Sequence, residues 1–191
     1  WKIKVNLILF GPPGAGKGTQ AKNLEKKLNN YQVSTGDMLR DEIKKDSEIG
    51  KKIINYMNDG KFVDDTIVNK LMEKVIFDPN KKDRLIFDGY PRAIDQAKNL
   101  DLLLSSSNQK IDYIFFLNVK KETIIKRIEK RKVLENRSDD DLNTILKRYE
   151  TYMDTTKPVL DYYSSHQNYH EIDGSMKIEE ITSKIEEILK L

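Results

Sequence analysis

Cysteine is absent from all 191 residues, so neither a disulfide nor a thiolate-ligated metal centre is possible, and no zinc is expected. No apolar run has the length needed to cross a bilayer, which leaves a membrane partner without support. The opening Trp1-Lys2-Ile3-Lys4 leads straight into a strand pattern instead of a signal-peptide pattern, and the expected location is cytoplasmic. An excess of one charge is missing too. The 34 Lys and Arg face 31 Asp and Glu, and a formal +3 gives little footing for nonspecific nucleic-acid binding. The basic stretch from Lys120 to Lys132 has no interleaved aromatics and is interrupted by Glu122 and Glu129, so no nucleic-acid partner is expected. Histidine is limited to His166 and His170, in a polar stretch that reads as irregular, and both are expected to be surface residues rather than metal ligands. There is no internal repeat, and the length suits one core with small insertions.

What the chain does have is concentrated first in residues 11 to 19, Gly-Pro-Pro-Gly-Ala-Gly-Lys-Gly-Thr. They stand between an apolar run (Val5, Leu7, Ile8, Leu9, Phe10) and a helical pattern (Ala21, Leu24, Leu28). Glycines let a backbone turn its amides toward an anion without a Cβ in the way, and the following helix adds the partial positive charge of its N-terminus. Gly14, Ala15, Gly16, Gly18 and Thr19 therefore read as a phosphate cradle, with Lys17 reaching the terminal phosphates. One departure from the common pattern is that the hydroxyl follows Lys17 by two positions, at Thr19. Asn80-Lys81-Lys82-Asp83 matches a guanine-reading pattern, but it precedes a strand where that pattern should follow one, and it reads as a polar turn.

Buried strands are expected at Ile3 to Phe10, Leu85-Ile86-Phe87, Tyr113 to Leu117 and, weakly, Tyr169 to Ile172, each followed by a helical pattern. That alternation implies an α/β fold with a doubly wound parallel sheet. A closing helix carries Ile178, Ile181, Ile185 and Ile188 toward the sheet, and a long helix from Asp139 to Tyr163 carries Leu142, Ile145, Tyr149 and Tyr152 on one stripe. Between the first helix and Leu85 the chain reads as a helical insertion, with one short strand at most near Gln32 to Ser34. Asp37 is expected to cap one helix, Gly60 to end another and Asp64 or Asp65 to start a third.

After the second buried strand comes Asp88-Gly89-Tyr90-Pro91-Arg92. A carboxylate at that strand end is where a nucleotide-binding sheet needs a group to hold magnesium or its waters, and a tight turn would aim Arg92 at the same space. Arginines are few beside the lysines, and guanidinium is the better group for a two-pronged grip on phosphate. Arg127 and Arg131, four apart on a helix, can clamp a polyphosphate together.

With these residues in hand the chain resembles the nucleoside monophosphate kinases, and within them the short-lid adenylate kinases. The resemblance rests on Gly11 to Gln20, Ser34 to Arg40, Asp59 to Val63, Asp88 to Arg92 with Gln96, Arg127 to Arg131, Arg137 to Asp140, Arg148 and Asp173-Gly174. It implies a P-loop-type core of five parallel strands, a nucleotide-monophosphate insertion at 34–63 and a short lid at 131–137. It further implies that Thr35, Arg40, Lys61, Phe62, Val63, Gly89, Tyr90, Arg92 and Gln96 bind AMP, and that the phosphate loop with Arg127 and Arg131 binds ATP. Arg137 and Arg148 would close over both phosphates, with Asp139 and Asp140 in the lid region. The implied catalytic set is Lys17, Arg92, Arg127, Arg137 and Arg148, with Asp88 on Mg2+ through water, in a monomer that interconverts ATP and AMP with ADP. The nearest rival within the family is a UMP/CMP kinase, against which Thr35 and Gln96 speak. The stretch Lys132 to Asn136 is too short for a zinc-binding lid.

Overall fold

A computed structural model describes residues 3–58, 63–135 and 142–191. Its centre is a five-stranded parallel sheet in the order β2-β3-β1-β4-β5. The strands are β1 (Leu7–Phe10), β2 (Tyr31–Ser34), β3 (Leu85–Asp88), β4 (Tyr113–Asn118) and β5 (Tyr169–Asp173). Every residue of β1 is buried, as an apolar run without alternation requires of a central strand covered on both faces. Helix α1 (Lys17–Leu28) crosses from β1 to β2, and α5 (Ile94–Ser106) from β3 to β4. Helix α6 (Lys121–Glu135) and α7 (Leu142–Tyr163) precede β5, and the closing helix follows it as Ile178–Leu189. Between β2 and β3 lie α2 (Thr35–Lys44), α3 (Glu48–Asn58) and α4 (Asp65–Ile76).

Two apolar layers hold the sheet. One gathers Leu7, Leu9, Leu24, Ile124 and Ile185, and the other Ile8, Phe10, Met72, Phe87, Leu100 and Val159. A third, smaller cluster of Ile53, Ile67 and Leu71, with Met38, Ile43 and Ile49 against it, belongs to the insertion and α4. Register decides where the site forms. Leu9 pairs with Asp88 on one side and Phe115 on the other, so the loops leaving β1 and β3 emerge next to each other. The chain winds from β1 to the β2–β3 side and then returns to β4 on the far side. The crevice at that reversal, beyond the strand C-termini, is where open α/β sheets bind ligands.

Several local expectations need correction. The run from Ile3 forms strand only from Leu7, because Asn6 is buried as a polar knot: its Nδ2 donates to Gln109 Oε1 (3.1 Å) and to the Lys110 carbonyl (3.0 Å), and its Oδ1 accepts from Leu85 N (3.1 Å). Asp37 does not cap α2. The helix begins at Thr35 directly from β2, and Asp37 lies in its first turn, where a carboxylate suits the helix dipole, paired with Arg40. Asp64 does cap α4, accepting from Thr66 N at 2.9 Å, and these hydrogen bonds hold its carboxyl below the ordinary range. Ile178 is 51 % exposed as the first residue of its helix, and Leu189 joins Ile181 and Ile185 on the buried side instead. His170 is not in irregular chain. It sits in β5, stacked on Phe115 and half-buried, and burial lowers its pKa. Asn80 and Lys81 do lie in a single 3-10 turn, Pro79–Lys81. Gly60 and residues 139–141 lie outside the described residues.

Candidate active site

The loop between β1 and α1 is built by its glycines. Gly14 and Gly16 have φ of 84° and 82°, the left-handed region, and a Cβ on Gly14 would lie 3.0 Å from Ile124 Cδ1. Gly16 is the residue before α1, and no described side chain caps that helix; its first turn contains no acid. The helix therefore opens with backbone N–H groups turned outward and no resident negative charge. The start of the loop is tied to α7, where the Tyr152 hydroxyl accepts from Gly11 N at 2.7 Å. Burial pushes the Tyr152 phenol up to about 12, so it stays a neutral hydroxyl through the physiological range. Tyr152→Phe is expected to destabilise the protein by about 1–2 kcal/mol, because the Gly11 amide loses its acceptor. Urea unfolding checks this; an unshifted midpoint would show that the amide is satisfied elsewhere.

Lys17, in the first turn of α1, extends to the end of β3 and meets Asp88, Nζ to Oδ1, at 2.8 Å. Both groups are sheltered but reachable, at 22 % and 12 % side-chain exposure. The other oxygen of Asp88 accepts from Gln32 Nε2, also at 2.8 Å. Gly89 has φ 76°, and a Cβ there would stand 3.5 Å from Arg92 Nη2 and 3.9 Å from Lys17 Nζ, so two cationic groups converge on this turn. Arg92 is oriented by Nε donating to the Gly89 carbonyl at 2.8 Å.

Lys17, Gly89 and Arg92 share one cavity of about 690 Å3, and Asp88 adjoins it through its ion pair with Lys17. The cavity is lined by residues 10–19, Gly89, Pro91, Arg92 and, from α7, Thr144, Lys147, Arg148, Thr151, Tyr152, Thr155 and Thr156. Gly14, Ala15, Gly16, Lys17, Gly18, Thr19, Arg92 and Arg148 are thus brought together. Arg127 sits at the edge, donating to the carbonyls of Gly14 (2.8 Å) and Gly174, which joins the phosphate loop to the turn after β5. Asp173 in that turn accepts from both the hydroxyl and the amide of Ser175, which holds its carboxyl below the ordinary range. Arg131 follows one turn along α6 and is exposed.

The remaining expected residues lie on the insertion side. Thr35 borders a narrow apolar cleft with Met38, Leu39, Val68 and Leu71, and Val63 packs against both neighbouring clusters. Arg40 is paired with Asp37. Gln96 is clamped, accepting from Arg92 N at 2.8 Å and donating to Asp65 Oδ1 at 2.9 Å. The ring of Tyr90 is buried in the core with its hydroxyl directed to the Gln96 carbonyl, so only its backbone faces the turn. Lys61, Phe62, Arg137, Asp139 and Asp140 lie outside the described residues. The stretch from Arg131 to Glu135, expected to open a lid, is the last part of α6, and Val133 on it is 83 % exposed. Gln32 and the Gly174 carbonyl were not evident from the sequence, and Tyr152 appeared there only as part of an apolar stripe.

A family model described as adenylate kinase matches residues 9–168. The chain belongs to the adenylate kinase family. It is 45 % identical over 213 residues to an adenylate kinase of Pelagibacter ubique, covering 98 % of this chain and 100 % of that one. An adenylate kinase of Mycoplasma mycoides is 39 % identical over 215 residues, with 98 % and 100 % covered, and one of a Caulobacter species is 40 % identical over 187 residues, with 98 % and 99 % covered. Membership makes the chain a nucleotide-binding phosphotransferase of the nucleoside monophosphate kinase kind, and these relatives do not favour the pyrimidine-kinase alternative. Adenylate kinase chemistry also fits the sheet, which has the five parallel strands expected. Among the described residues no helix is long and apolar enough to cross a membrane.

Proposed function

We propose that this protein catalyses the reversible, magnesium-dependent transfer of a phosphoryl group, ATP + AMP to two ADP, as a cytoplasmic monomer serving adenine nucleotide balance. The observation that carries it is the meeting of Lys17, Asp88, Arg92 and Arg148 around one phosphate-binding loop. Phosphoryl transfer between two anions needs little covalent help. The protein must align donor and acceptor, neutralise the moving charge and keep water out. Residues 14–19 hold the ATP phosphates on their amides, with Arg127 and Arg131 beside them. Lys17 follows the transferring group, while Arg92 and Arg148, with Arg137, grip the acceptor phosphate from the opposite side. No general base is needed.

In the acceptor site, Thr35, Val63 and Gln96 take the base side and Arg40 and Arg92 the phosphate side, with Lys61, Phe62, Gly89 and Tyr90 completing it through the chain segments they occupy. We assign residues 34–63 to the acceptor insertion and 131–137, with Asp139 and Asp140 after it, to a short lid. Closure over the ligands excludes water, which would otherwise compete as acceptor.

The residues fit magnesium and not zinc. The cavity offers hard oxygen donors, the Thr19 hydroxyl and the neighbouring Asp88 carboxylate, and no thiol or imidazole lines it. Among the described residues no three acids or histidines gather into a metal cluster. Asp88 would hold the ion through water, and the ion when bound supplies positive charge to the phosphate oxygens.

A coupled assay of AMP, GMP, UMP and CMP with ATP tests the reading. AMP is expected to be the best acceptor by at least an order of magnitude, since an amide matched to the wrong base edge is left unpaired. A higher kcat/KM with UMP or CMP would overturn it.

A further inference from the structure

We propose that Gln32 is a positioning residue that fixes the Asp88 carboxylate for its work on the metal; this rests on the functional reading above. Asp88 has two anchors, one on each oxygen: Lys17 Nζ on Oδ1 and Gln32 Nε2 on Oδ2, both at 2.8 Å. The final torsion of an aspartate is soft, so a carboxylate held by one oxygen alone can rotate. Lys17 is not a permanent anchor. When a triphosphate occupies the loop, the ammonium is drawn to phosphate oxygens, which carry more charge than one carboxylate. Gln32 then holds Oδ2 and leaves Oδ1 presented toward the phosphates.

A neutral amide suits this task better than a second cation. It donates a hydrogen bond without cancelling the charge that Asp88 must offer to a divalent ion. The strand pairing gives the amide its aim. Gln32 stands opposite Ile86 and Ser34 opposite Asp88 in the parallel ladder between β2 and β3, so Gln32 lies two residues back from Asp88 on the neighbouring strand. The side chain is half-buried, between the open edge of the sheet and the site.

Two variants test the assignment. In Gln32→Leu, the affinity of the enzyme–ATP complex for Mn2+, read from the free-ion electron paramagnetic resonance signal, is expected to fall about 10- to 100-fold, and the Mg2+ concentration for half-maximal rate to rise to match. ATP affinity in chelator and the melting temperature should stay near wild type. Gln32→Met guards against a merely structural loss. It keeps the length of the side chain but has no N–H to donate, so its Mn2+ affinity should fall as in Gln32→Leu at an unchanged melting temperature. Unchanged Mn2+ affinity in either variant, or a loss that follows the melting temperature in both, would overturn the proposal. Mn2+ binding to the ATP complex reads the Asp88 site without the acceptor. A wild type that binds Mn2+ and ATP but does not phosphorylate AMP would overturn the functional reading instead.

Discussion

Lys17→Met is expected to lower turnover by roughly two orders of magnitude, about 3 kcal/mol of transition-state stabilisation, while leaving the fold in place. Methionine keeps the unbranched stem and the helix preference of lysine in the first turn of α1, so the change removes the charge and little else. The lost contact strengthens as negative charge shifts between donor and acceptor, which is why it should appear in kcat more than in nucleotide affinity. The cost to stability is smaller. Lys17 and Asp88 are both reachable by solvent, and Asp88 keeps its bond to Gln32, so the unfolding free energy should fall by no more than about 1 kcal/mol. Steady-state kinetics beside urea unfolding separates the two effects. Wild-type turnover with a sharply lower urea midpoint would place Lys17 in a structural role.

Gly50→Ala is expected to have the largest effect on stability of any single methyl added to the described residues of the insertion. A Cβ built at Gly50 would lie 2.2 Å from the Glu42 carbonyl oxygen and 2.8 Å from its carbon, and both are backbone atoms of α2 that no side-chain rotation can move. Helices α2 and α3 would have to separate. That motion would break the joint in which Ser47 accepts from Gly50 N (3.0 Å) and donates to the buried Glu42 carboxylate (2.6 Å). Overpacking of this kind costs typically about 1–3 kcal/mol, and the backbone clash puts this case at the upper end. Because α2 and α3 pack on a small apolar cluster shared with α4 and apart from the two sheet layers, the damage should stay local. Amide exchange in α2 and α3 should accelerate and the KM for AMP rise several-fold, while KM for ATP changes little. Unaltered exchange in both helices would show that they do not cross as closely as the structure has them.

The phosphate loop, three strong strands with a weaker fourth, and the order of these elements were all legible in the sequence alone. Their signals are local: a glycine-rich turn between an apolar run and a helical period, read within about twenty residues. Asp88 and Arg92 were legible for the same reason, as polar residues at the end of a buried strand, and the structure does bring them to Lys17. Helix starts were less secure. Asp64 fulfilled the capping pattern, whereas the extended chain at Ser34 passes straight into α2 and left Asp37 inside the helix. Other features belong to the tertiary structure alone. Gln32 reaches Asp88 across 56 residues and Tyr152 reaches Gly11 across 141, and neither pairing carries a mark in the residues near it. Gly50 looks like any surface glycine until α2 lies 2.2 Å from where its Cβ would be. Periodicity and turn chemistry act through neighbours in the chain, but which side chain meets which depends on strand register and helix crossing, and those are decided only when the whole core packs.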